Sequence, residues 1–347
     1  MDRTEQGPPP PIHALFYQRG AGDDALLKLA GLRLAQAGLA AEAYADVPDE
    51  LDRVLGYVPP HPRLPTVHLN RGLNMLHERD RGVVEEFAAR FAGRLSGLVV
   101  HDQPDMAAQT GNLLTALRDL DGRLAQWPNA PRVFLEYAAA HEPGWFVEVA
   151  ERLKDTDRVS CCIDVGHVGI RQAVARFARE HPGLGLRSLS ADDPRLPGLA
   201  DDVQASVTSV LPDVLDMVRS IGRLGKHLHF HLHDGHPLVG GLADHFTFLM
   251  RLPIPFGYQG RKSLAMMYGP AGLAAIAAAA TEACSLDLLS FTLEIHQVEG
   301  SLPLGDAAWL FRHWADTAAA ERMNNWLSVL TQNALLLAES LHPRRVA

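Results

Sequence analysis

Along this 347-residue chain, six short apolar runs each end in a residue type that binds metals: Val67-His68, Val100-His101, Leu135-Glu136, Ile163-Asp164, Phe230-His231 and Leu293-Glu294. Imidazole and carboxylate donors together suit borderline divalent ions such as zinc, manganese, iron or cobalt. If the runs are successive parallel strands, their carboxyl ends converge on one mouth of a barrel. The ligands would then share one divalent ion or several.

Taken one at a time, the motifs differ in weight. FLEYA puts Glu136 at a strand end, where a solvated or ion-paired carboxylate is the plain alternative. CCIDVGHV says more: Asp164 closes an apolar run, His167 follows three residues on, and Gly166 allows a tight turn between them. The competing reading makes Asp164 a cap of the next helix. KHLHFHLHDGHP carries histidines at 227, 229, 231, 233 and 236. Strand alternation sets His227, His229, His231 and His233 on one face, and the apolar Leu228, Phe230 and Leu232 speak against a surface patch. His231 or His233 is the expected ligand, with the others hydrogen-bonding behind it. In FTLEIH, Glu294 supplies a second carboxylate opposite Glu136. A metal-bridged pair of that kind can move a proton between two carbons of a bound substrate.

The elements that must position these groups follow from periodicity. Strands are expected at Ile12–Tyr17, Ala41–Ala45 (the weakest signal), up to His68, at Gly97–Val100, Arg132–Leu135 and Val159–Ile163, and then at the runs ending in His231 and Glu294. Helical periodicity marks Asp23–Ala37, Val83–Leu95, Ala107–Gln126 and Gly144–Lys154. The β-then-α rhythm predicts parallel strands, and with eight units a (β/α)8 TIM barrel. Two longer stretches, His181–Asp202 and Pro237–Gly269, read as extended loops after strands six and seven. Extra C-terminal helices are expected from about residue 307, carrying Trp309, Trp314 and Trp326. Residues 1–11 read as a disordered tail and 12–347 as a single domain. There is no G-x-G-x-x-G or P-loop pattern to suggest a nucleotide cofactor.

Composition narrows the partners. The formal charge of −9, with 41 acidic against 32 basic residues, speaks against gripping a nucleic acid backbone. No apolar run approaches the roughly 20 residues that span a bilayer. Three cysteines do not make a disulfide framework, which fits a reduced, cytoplasmic chain.

In their order and spacing, the strand-end residues resemble the xylose isomerase-like TIM-barrel superfamily, which contains sugar isomerases and epimerases and also endonuclease IV-type enzymes. The resemblance covers most of the chain, roughly residues 60 to 300, and is best at the strand ends, from His68 in VHLNRGLN to Glu294 in FTLEIH. Its one-metal epimerase pattern implies Glu136, Asp164, His231 and Glu294 as ligands, with His167 contacting substrate and the two glutamates passing the proton. Its endonuclease IV-type pattern implies more: His68, followed by Asn74, and His101 in VVHDQ join Glu136, Asp164, His167, His231 and Glu294. An Asp thirteen residues beyond His231 is matched by Asp244. The family has Asp-x-His there, whereas Asp244 and His245 are adjacent in this chain. The aromatic residue expected after the first histidine is replaced by Asn70 and Arg71.

The leading expectation is therefore an isomerase or epimerase of a sugar, polyol or related hydroxy-carbonyl compound, dependent on one to three divalent ions (Mn, Zn, Fe or Co). Glu136 or Glu294 would remove the proton and the other return it. His233, Arg251, Arg261 and Lys262 are candidates for contacting the substrate. An endonuclease IV-like multi-metal phosphoester hydrolase is the alternative, favoured by His68, His101 and Asp244. A multi-iron biosynthetic enzyme could use the same ligands. A non-catalytic binding module is opposed by the cost of gathering so many ionisable groups without paired charges or metal. The expected partners are a small molecule and, through the Trp-bearing C-terminal helices, a second copy of the chain; neither nucleic acid nor membrane is expected.

Overall fold

Short β-branched and apolar runs alternating with amphipathic stretches produce eight strands and ten α-helices among the described residues. The computed structural model describes residues 9–16, 24–139, 141–189, 193–238, 245–249, 266–295 and 320–341. The strands are β1 (Ile12–Phe16), β2 (Ala40–Ala45), β3 (Thr66–Leu69), β4 (Gly97–His101), β5 (Arg132–Glu136), β6 (Val159–Asp164), β7 (Leu228–Leu232) and β8 (Leu289–Leu293). They pair in sequence order into a closed barrel, parallel from β1 through β7. A bond from the Phe291 N–H to the Pro11 carbonyl, 3.0 Å, ties β8 back to the start of β1. This is the expected (β/α)8 architecture.

The helices are α1 (Asp24–Gln36), α2 (Pro48–Leu55), α3 (Glu78–Arg90), α4 (Thr110–Leu124), α5 (Pro143–Arg152), α6 (Val165–Glu180), α7 (Leu196–Thr208), α8 (Leu211–Gly222), α9 (Gly269–Ala283) and α10 (Ala320–Leu341). Several of them are absent from the sequence expectation or depart from it. Helix α3 begins five residues before Val83 because His77 is extended and Glu78 and Asp80 suit a helix N-terminus. It ends at Arg90, before Leu95, because Phe91 leaves helical geometry. Helix α2, absent from the expectation, starts on Pro48 and buries Leu51 and Val54. The stretch His181–Asp202 is not all loop: α7 begins at Leu196, with Pro197 in its first turn and Val203 and Val207 buried. At the C-terminus the described part is one helix, α10, bearing Trp326; Trp309 and Trp314 lie outside the described residues. No helix among the described residues is long and apolar enough to cross a membrane.

The chain forms two compact units. The first is drawn from Met1–Asp164, Met217–His231 and Ala279–Thr292, and carries the barrel strands as far as His231 in β7 and Thr292 in β8. The second is drawn from Val165–Asp216, Leu232–Ala278 and Leu293–Ala347. Strand parity decides what enters the barrel of the first unit. On β5, Arg132, Phe134 and Glu136 share a face; on β7, His229 and His231 do. Register then sets His101 beside Glu136 and Asp164 beside His231.

Candidate metal centres

In the first unit, three ligand-type atoms form a triangle. His68 Nε2 lies 3.0 Å from His101 Nε2 and 3.1 Å from Glu136 Oε2, and His101 Nε2 lies 3.3 Å from the same oxygen. The other ring nitrogen of His68, Nδ1, is 2.9 Å from the Leu69 carbonyl. A carbonyl only accepts, so Nδ1 carries the proton, and in the neutral ring Nε2 presents a lone pair. That lone pair faces a carboxylate oxygen and a second imidazole, an arrangement that a proton on His101 Nε2 or a cation among the three atoms relieves. Metal–ligand bonds of about 2.1 Å place neighbouring ligand atoms about 3.0 Å apart in an octahedral shell and about 3.4 Å apart in a tetrahedral one. The observed edges fall in this range, so these residues fit a divalent ion.

The other oxygen of Glu136, Oε1, is 3.2 Å from His231 Nδ1. Ligand atoms of Glu136, Asp164 and His231 all lie within 4.8 Å of one another. Beneath His231 sits a group absent from the sequence expectation, Glu42 of β2. Its Oε1 is 3.0 Å from His231 Nε2, and its Oε2 receives Thr66 Oγ1 at 2.7 Å and Thr292 Oγ1 at 2.9 Å. His229 Nε2 lies 3.2 Å from that same oxygen. Burial alone would raise the carboxyls of Glu42 and Glu136, but neighbouring histidines outweigh it. His231 and His229 hold Glu42 well below the usual range, and His231 and then His101 do the same for Glu136. Both carboxylates stay charged inside the protein because imidazoles surround them.

Lower in the barrel, Cys162 packs with Val99 and Phe134, and burial pushes its thiol well above the ordinary value. Asp102, which follows β4, accepts the N–H groups of Ala138 (2.8 Å) and Ala139 and so fixes the loop after Glu136.

A second cluster belongs to the second unit. His233 Nδ1 is 2.8 Å from the Asp234 carbonyl, which by the same argument leaves Nε2 as the lone-pair nitrogen. The ring of His245 stacks on His233 with centroids 3.7 Å apart, and His167 stands edge-on to both. Ligand atoms of the three histidines lie within 4.8 Å of one another. Glu294 Oε2 is 3.5 Å from His245 Nδ1.

Asp234 organises the segments that carry this cluster. Its backbone pairs with Phe246 in both directions, at 2.8 and 3.0 Å. Its carboxylate accepts the N–H groups of Gly235 (2.8 Å), Tyr268 (3.2 Å) and Gly269 (2.7 Å). Burial nevertheless pushes that carboxyl up to about 6. Two residues past His245, Thr247 Oγ1 receives the Asn333 amide of α10 at 2.6 Å.

Gly166 serves a purpose other than the tight turn expected between Asp164 and His167. It lies in the first turn of α6, and a Cβ on it would stand 1.9 Å from His233 Cε1. The missing side chain is room for the His233 ring.

Of the expected site residues, His68, His101, Glu136, Asp164 and His231 come together in the first unit. His167, His233 and Glu294 lie in the second, joined by His245. Asp244, Arg251, Arg261 and Lys262 lie outside the described residues. Glu42 had one legible signal, a lone carboxylate at an inward position of the apolar run AAEAYA. No protein-family model matches the chain, and no curated protein matches it.

Proposed function

We propose that this chain is a metal-dependent enzyme holding at least two divalent ions, one on each cluster, and acting on a small polar molecule. The observation that carries the reading is an imidazole cluster in each unit, each containing a histidine whose Nδ1 proton is already committed to a backbone carbonyl. A one-metal isomerase would leave His68, His101, His233 and His245 without a task. Glu136 would also make a poor proton carrier. Its oxygens face three imidazoles at 3.1–3.3 Å, and its carboxyl is held well below the usual range.

The donor set supports iron or manganese over zinc. The first unit alone offers His68, His101 and Glu136 as one set of donors and Glu136, Asp164 and His231 as another, and mixed imidazole and carboxylate sets with open positions suit iron and manganese. Bound iron would supply the redox chemistry of a biosynthetic oxidation, and zinc or manganese would instead supply Lewis-acid activation of water for phosphoester hydrolysis. The chain's own part is to keep these donors deprotonated and oriented: Leu69 and Asp234 fix the tautomers of His68 and His233, and Glu42 backs His231. The net charge of −9 favours a small substrate over a nucleic acid.

The test is metal identity and content per chain, by elemental analysis of tag-free protein and of two variants. Two or more ions are expected. His101→Ala should lose metal from the first cluster and keep the second, and His245→Ala the reverse. A single ion, unaffected by His245→Ala, would return the chain to the one-metal isomerase reading.

A further inference from the structure

The amino ends of β5, β6 and β7 gather a cluster of cations in the first unit. Arg132 opens β5, Arg158 immediately precedes β6, Lys226 and His227 precede β7, and Lys154 follows α5. All five line one cavity of about 460 Å³, in which Asp157 is the one acidic lining residue. The chain is acidic overall and has four lysines, yet two of them stand here.

Three of these cations form no ion pair among the described residues. Lys226 is committed internally, donating to Thr156 Oγ1 (2.5 Å) and the Val159 carbonyl (2.8 Å). Arg158 gives one N–H to the Ala130 carbonyl at 2.9 Å. Among the described residues, Arg132, Lys154 and Arg158 form no ion pair, and the buried Nε of Arg132 has no hydrogen-bond acceptor. The strain of like charge is visible in the neighbours. Burial and then the Arg158 charge push the Arg132 guanidinium down, and burial and then Arg132 push the His227 ring down to about 4.

Like charges brought this close are stabilised by an anion that enters among them. Two guanidinium forks and an ammonium suit a tetrahedral dianion, because arginine offers parallel N–H donors to paired oxygens. Ligand pockets of roughly 300–1,000 Å³ hold small molecules, so there is room for more than the anion itself.

We propose that this cavity is a binding site for a phosphate-type dianion, held by Arg132, Arg158 and Lys154. The dianion is either free phosphate or the phosphate group of a small monoester. The site stands apart from the first metal cluster: Arg132 and Glu136 are four residues apart on β5, about 13 Å along the strand. Phe134 lies between them, packed with Val99 and Cys162.

Titration calorimetry on the metal-loaded protein tests this, with inorganic phosphate, glycerol 3-phosphate and acetate as probes at matched ionic strength. One saturable site is expected for the two phosphates and none for acetate; the tighter phosphate identifies the source. Arg132→Gln combined with Lys154→Gln should weaken binding at least ~10-fold, with metal content unchanged. Absence of saturable phosphate binding, or equal affinity in the double variant, would overturn the proposal. A second readout uses the unaltered protein, so it does not depend on how the variant folds. With phosphate bound, the His227 ring, followed by nuclear magnetic resonance, should take up its proton at higher pH. An unchanged His227 titration would contradict the site.

Discussion

Glu42 Oε1 lies 3.0 Å from His231 Nε2, and both side chains are fully buried. The carboxylate on β2 is thereby a charged neighbour of the imidazole on β7, whose Nδ1 faces Glu136 Oε1 at 3.2 Å. Partners of this kind behind a metal-binding histidine are worth about 10–100-fold in metal affinity. Glu42→Gln keeps an acceptor for Thr66 and Thr292 but removes the charge. It should lower affinity by that factor, measured by competition with a chelator of known strength. Glu42→Ala should in addition destabilise the fold by about 3–5 kcal/mol, since it strips one partner from a buried charged network. Unaltered affinity in Glu42→Gln would show that His231 is held by packing alone.

The two clusters were legible in the sequence to different degrees, for physical reasons. His68, His101, Glu136, Asp164 and His231 end strands whose apolar runs announce themselves, and parallel pairing brings such ends together with no further information. His245 gave no such signal. It sits in no regular element, and it reaches His233 through the backbone pairing of Phe246 with Asp234, a long-range contact that leaves no periodicity. Glu42 escaped notice because a strand of alanines carries little periodic contrast, although its parity already pointed it inward. Helix α7 was hidden by Pro197 and Gly198, which read as loop residues but serve here in a first turn.

Gly166 offers a way to disturb the second cluster alone. A Cβ there would stand 1.9 Å from His233 Cε1 and 2.4 Å from both ring nitrogens, so Gly166→Ala must displace the ring. The expected cost is about 1–3 kcal/mol of stability, with loss of the metal bound by His167, His233 and His245 and retention of the first. Gly122→Ala is the control, since it is exposed in α4 with nothing near its Cβ. It should be neutral or stabilising by up to about 1 kcal/mol. Equal metal content in the two variants would contradict the role given to Gly166.

Removing metal should lower stability, because the lone-pair nitrogens of His68 and His233 would again face neighbouring donors without a cation. A ligand bound only by the native state stabilises it by about 4 kcal/mol when present at a thousandfold over its dissociation constant. Dialysis against a chelator should therefore drop Tm, and adding back the native ion should restore it. A melting curve insensitive to chelation would count against both centres.

His236 gives a prediction in pH. Its ring is fully buried, Nδ1 accepts the Leu238 N–H at 3.2 Å, and burial lowers its pKa from 6.5 to about 3. In the unfolded chain the same ring takes a proton near 6.5. Between those two values the unfolded state binds more protons than the folded one, so stability must fall as pH falls through the window. The contribution is fully present above 6.5, and its loss is complete near pH 3. Mid-window, one proton corresponds to a slope of about 1.4 kcal/mol per pH unit. His236→Gln can still accept from Leu238 but cannot titrate. Urea unfolding between pH 6 and 4 should show the variant losing stability less steeply than the parent protein, by up to that slope. Parallel curves would mean that His236 is already protonated in the native state, with the Leu238 bond broken.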